Sequence, residues 1–207
     1  MDRTDARPEG SAVVVIAGAP GSGKGTQCER LAQRLGLTHV SPGGLLRGHI
    51  EQGSAIGREV RRAMDAGHLV ADDVASEVVW DALDALDGSA TVLLDGFPRT
   101  LPQAEALEAR HPGVVKMTVE LVVPTVVLTR RLRLRGRTDD ADDAVRQRLA
   151  AYAREREPLR QWFAARGLLV HIDGNQPPDL VTSALAEQLA RVGIRSTSED
   201  PCALPIS

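Results

Sequence analysis

Aromatic residues make up only 2% of this 207-residue chain, too few for the series of stacking rings that single-stranded nucleic acid binding uses. A basic surplus is missing too: the formal net charge is -3 at pH 7, which argues against a general electrostatic grip on polyanions. Any anion must therefore be held locally. Cysteine is scarce, with Cys28 beside a glycine-rich stretch and Cys202 near the end. That excludes a disulfide framework and a four-cysteine zinc site, and both read as free thiols. No run approaches the roughly 18 apolar residues of a membrane span. The polar stretch from Met1 to Gly10 lacks the layout of a secretion signal, so the expected location is the cytoplasm. With 43% hydrophobic and 26% charged residues, the length suits one sizeable core, and a single domain is expected.

Lysine is nearly absent. Lys24 and Lys116 are the only lysines among 25 basic residues, the rest being arginine. In such a composition a retained lysine marks a place where a compact ammonium serves and a planar guanidinium does not. Lys24, inside the glycine-rich stretch, is the candidate.

What is present is an alternation of elements. Residues 12–17 form a β-branched run of the kind buried on both faces of a sheet. Thr26 to Leu35 has helical spacing closed by Gly36, and the short apolar stretch Leu37 to Val40 follows. Further buried strands are expected at Thr91 to Leu94, Val115 to Val123 and Leu168 to Ile172. Strands separated by helical segments predict a parallel α/β sheet. Between Ser41 and Asp73 the pattern is helical and punctuated by glycine, and Gly136 to Asp143 is a polar loop between two arginine-bearing helices. Both are candidate moving parts.

Gly18-Ala19-Pro20-Gly21-Ser22-Gly23-Lys24-Gly25-Thr26 follows the first strand and opens a helix, the context a phosphate-cradling loop requires. Glycines let backbone N–H groups turn toward phosphate oxygens, the helix N-terminus adds positive potential, and Lys24 supplies a point charge. Thr26, one place later than the generic pattern puts its hydroxyl, is within reach of a magnesium ion.

This string, continued by Gln27-Cys28-Glu29, resembles the adenylate kinase family of nucleoside monophosphate kinases. Four further segments are similar in order: Ser41 to Arg47, Gly67-His68-Leu69-Val70, Asp95-Gly96-Phe97-Pro98-Arg99, and Arg135 to Asp143 followed by Arg148. The last is similar to the lid of short-lid members, which carry no zinc site. The resemblance implies a doubly wound, parallel, five-stranded P-loop sheet flanked by helices, with a small helical acceptor-binding insertion and a short lid. In those terms residues 1–11 are an N-terminal extension and 12–192 a single P-loop kinase domain. The insertion is at about 41–70 and the lid at about 136–144, and 193–207 form a flexible C-terminal tail.

The implied activity is transfer of the γ-phosphoryl group of ATP to a nucleoside monophosphate, foremost AMP, with magnesium bound alongside ATP and the protein acting as a monomer. The implied catalytic residues are Lys24, Arg99, Arg137 and Arg148. ATP would be bound by Gly21, Ser22, Gly23, Lys24, Gly25, Thr26, Arg131 and Arg135. The acceptor would be bound by Ser41, Pro42, Arg47, Leu69, Val70, Gly96, Arg99, Gln103, Arg137 and Arg148. Thr26 and Asp95 would hold the metal largely through water. Arg131 and Arg135, four apart, share a helix face, whereas Arg130 and Arg133 face solvent. The acids Asp139, Asp140, Asp142 and Asp143 suit the start of the next helix.

Two positions depart from the family pattern. Pro42 stands where AMP-using members have threonine and offers neither hydroxyl nor N–H. Gly44 stands where an acid is usual, which removes a partner for the magnesium waters. Gln103, in contrast, is the amide that AMP-using relatives present to adenine. Two alternatives stay open at this point: a kinase for UMP, CMP or an unusual mononucleotide, and a nucleotide-binding protein with little turnover.

Overall fold

Five strands alternate with helices as the apolar runs predict. A computed structural model describes residues 12–65, 70–86, 90–135 and 142–195. The strands are β1 (Ala12–Gly18), β2 (Thr38–Val40), β3 (Thr91–Asp95), β4 (Val115–Val122) and β5 (Leu169–Asp173). They form one sheet in the order β2-β3-β1-β4-β5, and every neighbouring pair is parallel. The helices are α1 (Lys24–Leu35), α2 (Pro42–Glu51), α3 (Ala55–Asp65), α4 (Asp72–Asp84), α5 (Leu101–Arg110), α6 (Thr125–Arg135), α7 (Asp142–Ala164) and α8 (Pro178–Arg191).

Period-two alternation along the central strand explains why helices cover both faces. Val14 and Ile16 of β1 pack with Leu31 of α1 and with Leu185 and Leu189 of α8. Val13 and Val15 point the other way, toward Leu83 of α4, Leu107 of α5 and Phe163 of α7. The sheet is thus doubly wound, which is why β1 reads as an unbroken apolar run. A third, smaller cluster joins Leu46 of α2, Val60 of α3 and Val78 of α4, with Val70 packed against it. The stretch between β2 and β3 therefore has an apolar centre of its own. Among the described residues, no helix is long and apolar enough to cross a membrane.

Candidate active site

The strand register decides where the site lies. Ile16 of β1 is level with Asp95 of β3, and Val40 of β2 is level with Leu94. The segments following β1, β2 and β3 therefore leave the sheet at one edge, the carboxyl edge where parallel α/β sheets bind ligands.

Beyond β1 the chain enters α1 through Gly21 (φ 83°) and Gly23 (φ 99°), a conformation that side chains other than glycine rarely take. At Gly21 a Cβ would also stand 2.9 Å from Leu132 Cγ and 3.0 Å from the Leu128 carbonyl oxygen, so α6 packs directly on the loop. Gly23 is the N-cap of α1; among the described residues no side chain caps the helix, and no acid lies in its first turn. An uncapped N-terminus offers N–H groups and the positive end of the macrodipole to an anion. Ser22 is buried, and its Oγ has no hydrogen-bond partner among the described residues.

Lys24 Nζ donates to the carbonyl oxygens of Gly18 at 2.8 Å and Ala19 at 3.0 Å. Burial lowers its pKa to about 8; Asp95 pulls the other way, while Arg99 and Arg148 push it further down. A site that makes its own cation costly to charge is short of negative charge, and a phosphate chain supplies it. Asp95 faces this lysine across the loop: its Oδ2 lies 3.3 Å from where a Cβ on Gly25 would stand. Gly96 (φ 70°) follows, and a side chain there would meet Lys24 Cε at 3.3 Å and the Arg99 guanidinium at 3.7 Å.

The Asp95 to Arg99 turn is held from below. Phe97 is buried edge-on against Trp80, with ring centroids 5.4 Å apart. Arg99 Nε donates to the Gly96 carbonyl at 2.7 Å, and its backbone N–H donates to Gln103 Oε1 at 2.7 Å. Gln103 is thereby a buried brace of the turn as well as an amide at its edge. The Arg99 side chain itself reaches the surface.

At α2, Ser41 is the N-cap and its Oγ accepts from Gly44 N–H at 3.1 Å. Pro42 occupies the first helical position, where its missing N–H costs nothing. A Cβ on Gly44 would sit 2.8 Å from Ser41 Oγ, so an acid at this place would need the cap to shift. Exposed Arg47 folds back one turn, its Nη1 3.3 Å from where a Cβ on Gly43 would stand.

Arg131 Nη1 donates to Gly174 O at 3.1 Å and reaches Ser22 O at 3.4 Å, tying α6 to the phosphate loop. Arg135 ends α6, while Arg130 and Arg133 are exposed as expected. Thr26 is exposed in the first turn of α1. Arg148, on α7, is close enough to act electrostatically on Lys24. Leu69, Arg137, Asp139 and Asp140 lie outside the described residues; Asp142 and Asp143 open α7. These interactions join Lys24, Asp95, Gly96, Arg99 and Gln103, with Arg148 acting on Lys24 through its charge. They link Arg131 to the loop and leave Arg47 and Val70 in the helical stretch between β2 and β3.

One group here is not legible in the sequence. His39 Nε2 lies 3.4 Å from Asp95 Oδ2, enclosed and without a hydrogen-bond partner among the described residues. With Cys28 they place a thiol, an imidazole nitrogen and a carboxylate within 4.8 Å of one another. Burial, and then Asp95, push the Cys28 pKa well up, so the thiol stays protonated. Asp95 remains the ligand ready for a hard cation. Only the parallel pairing of β2 with β3 brings His39 beside Asp95, and nothing in the local sequence announces it.

The chain is also similar in sequence to known proteins. The family model described as adenylate kinase matches residues 16–168. The adenylate kinase of Synechococcus sp. (strain WH7803) is 42% identical over 181 residues, covering 86% of this chain and 98% of the relative. That of Thermus thermophilus is 42% identical over 183 residues, covering 85% and 96%. That of Agrobacterium fabrum (strain C58) is 36% identical over 191 residues, covering 86% and 97%.

Proposed function

The chain belongs to the adenylate kinase family, and from that premise we propose how its own residues move the γ-phosphoryl group of ATP to AMP, giving two ADP. Relatives between 36% and 42% identical are adenylate kinases, so the alternatives raised by Pro42 and Gly44 are not favoured. The observation that carries the residue assignment is the convergence of Lys24, Asp95 and Arg99 around Gly96, at the carboxyl ends of β1 and β3.

Phosphoryl transfer asks the protein for alignment and for neutralisation of spreading negative charge. Unit charges about 4 Å apart repel by roughly 4 kcal/mol at an effective dielectric near 20, so several cations have to meet two nucleotides. In this reading Gly21 to Thr26 wrap the ATP phosphates with backbone N–H groups. Lys24 leaves the carbonyls of Gly18 and Ala19 for the β and γ phosphates. Arg131 and Arg135 hold the ATP side from α6. Arg99 and Arg47 grip the acceptor phosphate through paired N–H donors, which also sets its direction of attack.

Gln103, braced against Arg99 N–H, keeps its amide NH2 for the acceptor base, with Ser41, Pro42, Leu69, Val70 and Gly96 around it. Arg137 and Arg148 close over the transferring group. The acceptor-binding part is the insertion at about 41–70, and the lid spans about 136–144.

Asp95 suits magnesium: it is a hard oxygen donor that opens onto the space left by Gly25. With exposed Thr26 it would hold the ion largely through water. When bound, the ion would supply charge neutralisation at the β and γ phosphates. Gly44 leaves that hydration shell one acidic partner fewer. The reading carries with it a monomer working in the cytoplasm.

Steady-state kinetics test the assignment. Lys24→Ala and Arg99→Ala are each expected to lower kcat/KM by about 10²-fold or more with little change in the thermal unfolding midpoint. Near-normal turnover in either would refute the placement of that residue.

A further inference from the structure

Away from the phosphate loop, one carboxylate is buried inside the sheet. Glu120 on β4 is 2% exposed. Its Oε1 accepts from Tyr152 Oη at 2.7 Å and from Arg156 Nε at 2.6 Å. Its Oε2 lies 3.1 Å from both Arg160 Nε and His171 Nδ1. Burial alone would raise the Glu120 pKa; hydrogen bonds from Arg156 and Tyr152, with the charges of Arg156 and Arg160, hold it below its ordinary value. The group is an ionised anchor.

Its partners are not scattered. Tyr152, Arg156 and Arg160 follow one another at steps of four along α7, so they form a single ridge. One further step back along that ridge is Arg148. The four are half-buried, whereas Arg154, off the ridge, is exposed. Arg148 in turn acts on Lys24. One ridge therefore runs from Arg148 to His171 at the β5 edge of the sheet, and Glu120 pins its middle.

We propose that Glu120 is a positioning residue for phosphoryl transfer, setting the rotation and height of α7 so that Arg148 meets the transferring group. This rests on the reading of Arg148 given above. Glu120 acts through its partners: Tyr152 stands one turn, about 5–6 Å, from Arg148, so a small tilt of the ridge displaces the guanidinium. Misplacements of about 1 Å in reacting geometry cost on the order of 10² in rate, which makes such a pin matter at a distance.

A double-mutant cycle tests this, using Glu120→Gln, Arg148→Ala and the double variant, with kcat measured for ATP plus AMP below the melting point of each. Arg148→Ala is expected to lower kcat by about 10²-fold. Glu120→Gln is expected to lower it about tenfold in the parent, with KM for both nucleotides within about threefold, and to have no further effect once Arg148 is gone. Loss of folded protein would instead reduce kcat by the same factor in both backgrounds, and that result overturns the proposal, as does unchanged kcat in Glu120→Gln.

If Glu120→Gln does not fold, Tyr152→Phe, which deletes one hydrogen bond, is expected to lower kcat severalfold with Arg148 present and not without it. An additive result there overturns the proposal equally. Near-normal kcat in Arg148→Ala would refute the Arg148 reading itself, and the proposal with it.

Discussion

Lys24 shows what a single position asks of its surroundings. Its ammonium is desolvated, bonded to two carbonyls, and lowered from 10.5 to about 8. Between those values the unfolded chain binds more protons than the folded one, so this group makes the free protein gain stability as pH rises from about 8 to 10.5. Phosphates favour the charged form, so ATP binding draws a proton onto Lys24, and affinity is expected to fall above pH 8 by up to about tenfold per pH unit. Titration calorimetry at pH 7, 8 and 9 checks this: the parent should weaken across the series and Lys24→Arg should not. A flat parent profile would contradict the picture. The lysine was legible because it stands nearly alone among arginines. His39 was not, because its neighbour Asp95 arrives from a strand 52 to 56 residues further along the sequence.

Elements carry consequences that single residues do not. The glycine-punctuated pattern between β2 and β3 predicts helices, and α2 and α3 are among those present, but only the packing says which glycine is indispensable. At Gly57 a Cβ would stand 2.0 Å from the His49 carbonyl oxygen, a contact with backbone that no rotamer change relieves. Gly57→Ala is expected to force α2 and α3 apart at a cost of about 1–3 kcal/mol. KM for AMP should rise and KM for ATP should stay unchanged; an equal effect on both would place the insertion elsewhere in the reaction. Helix ends were less legible. The helix expected from Thr26 begins at Lys24, since glycines conceal where helical geometry starts. α7 also continues through Pro158, although proline removes a helical donor.

At the scale of the whole molecule, buried parallel strands announce themselves as apolar runs, and all five expected strands are present within about a residue or two. Glu120 is the exception inside such a run, and its partners lie 32 to 51 positions onward, beyond any local pattern. Glu120→Gln should destabilise the fold by about 3 kcal/mol, toward the low end for a broken buried pair, because both arginines are a third exposed. The stability Glu120 provides is present above its unfolded value near 4.5 and is lost as pH falls through the lower folded value. Thermal melts between pH 3 and 6 should therefore show a steeper acid loss in the parent than in Glu120→Gln.

Transfer from ATP to AMP is checked by following diphosphate formation from magnesium and ATP with AMP, CMP, UMP, GMP and dAMP offered in parallel. The highest kcat/KM is expected with AMP, and ADP as the sole product of that reaction. Preference for a pyrimidine acceptor, or nucleotide binding with no product from any of the five, would contradict it.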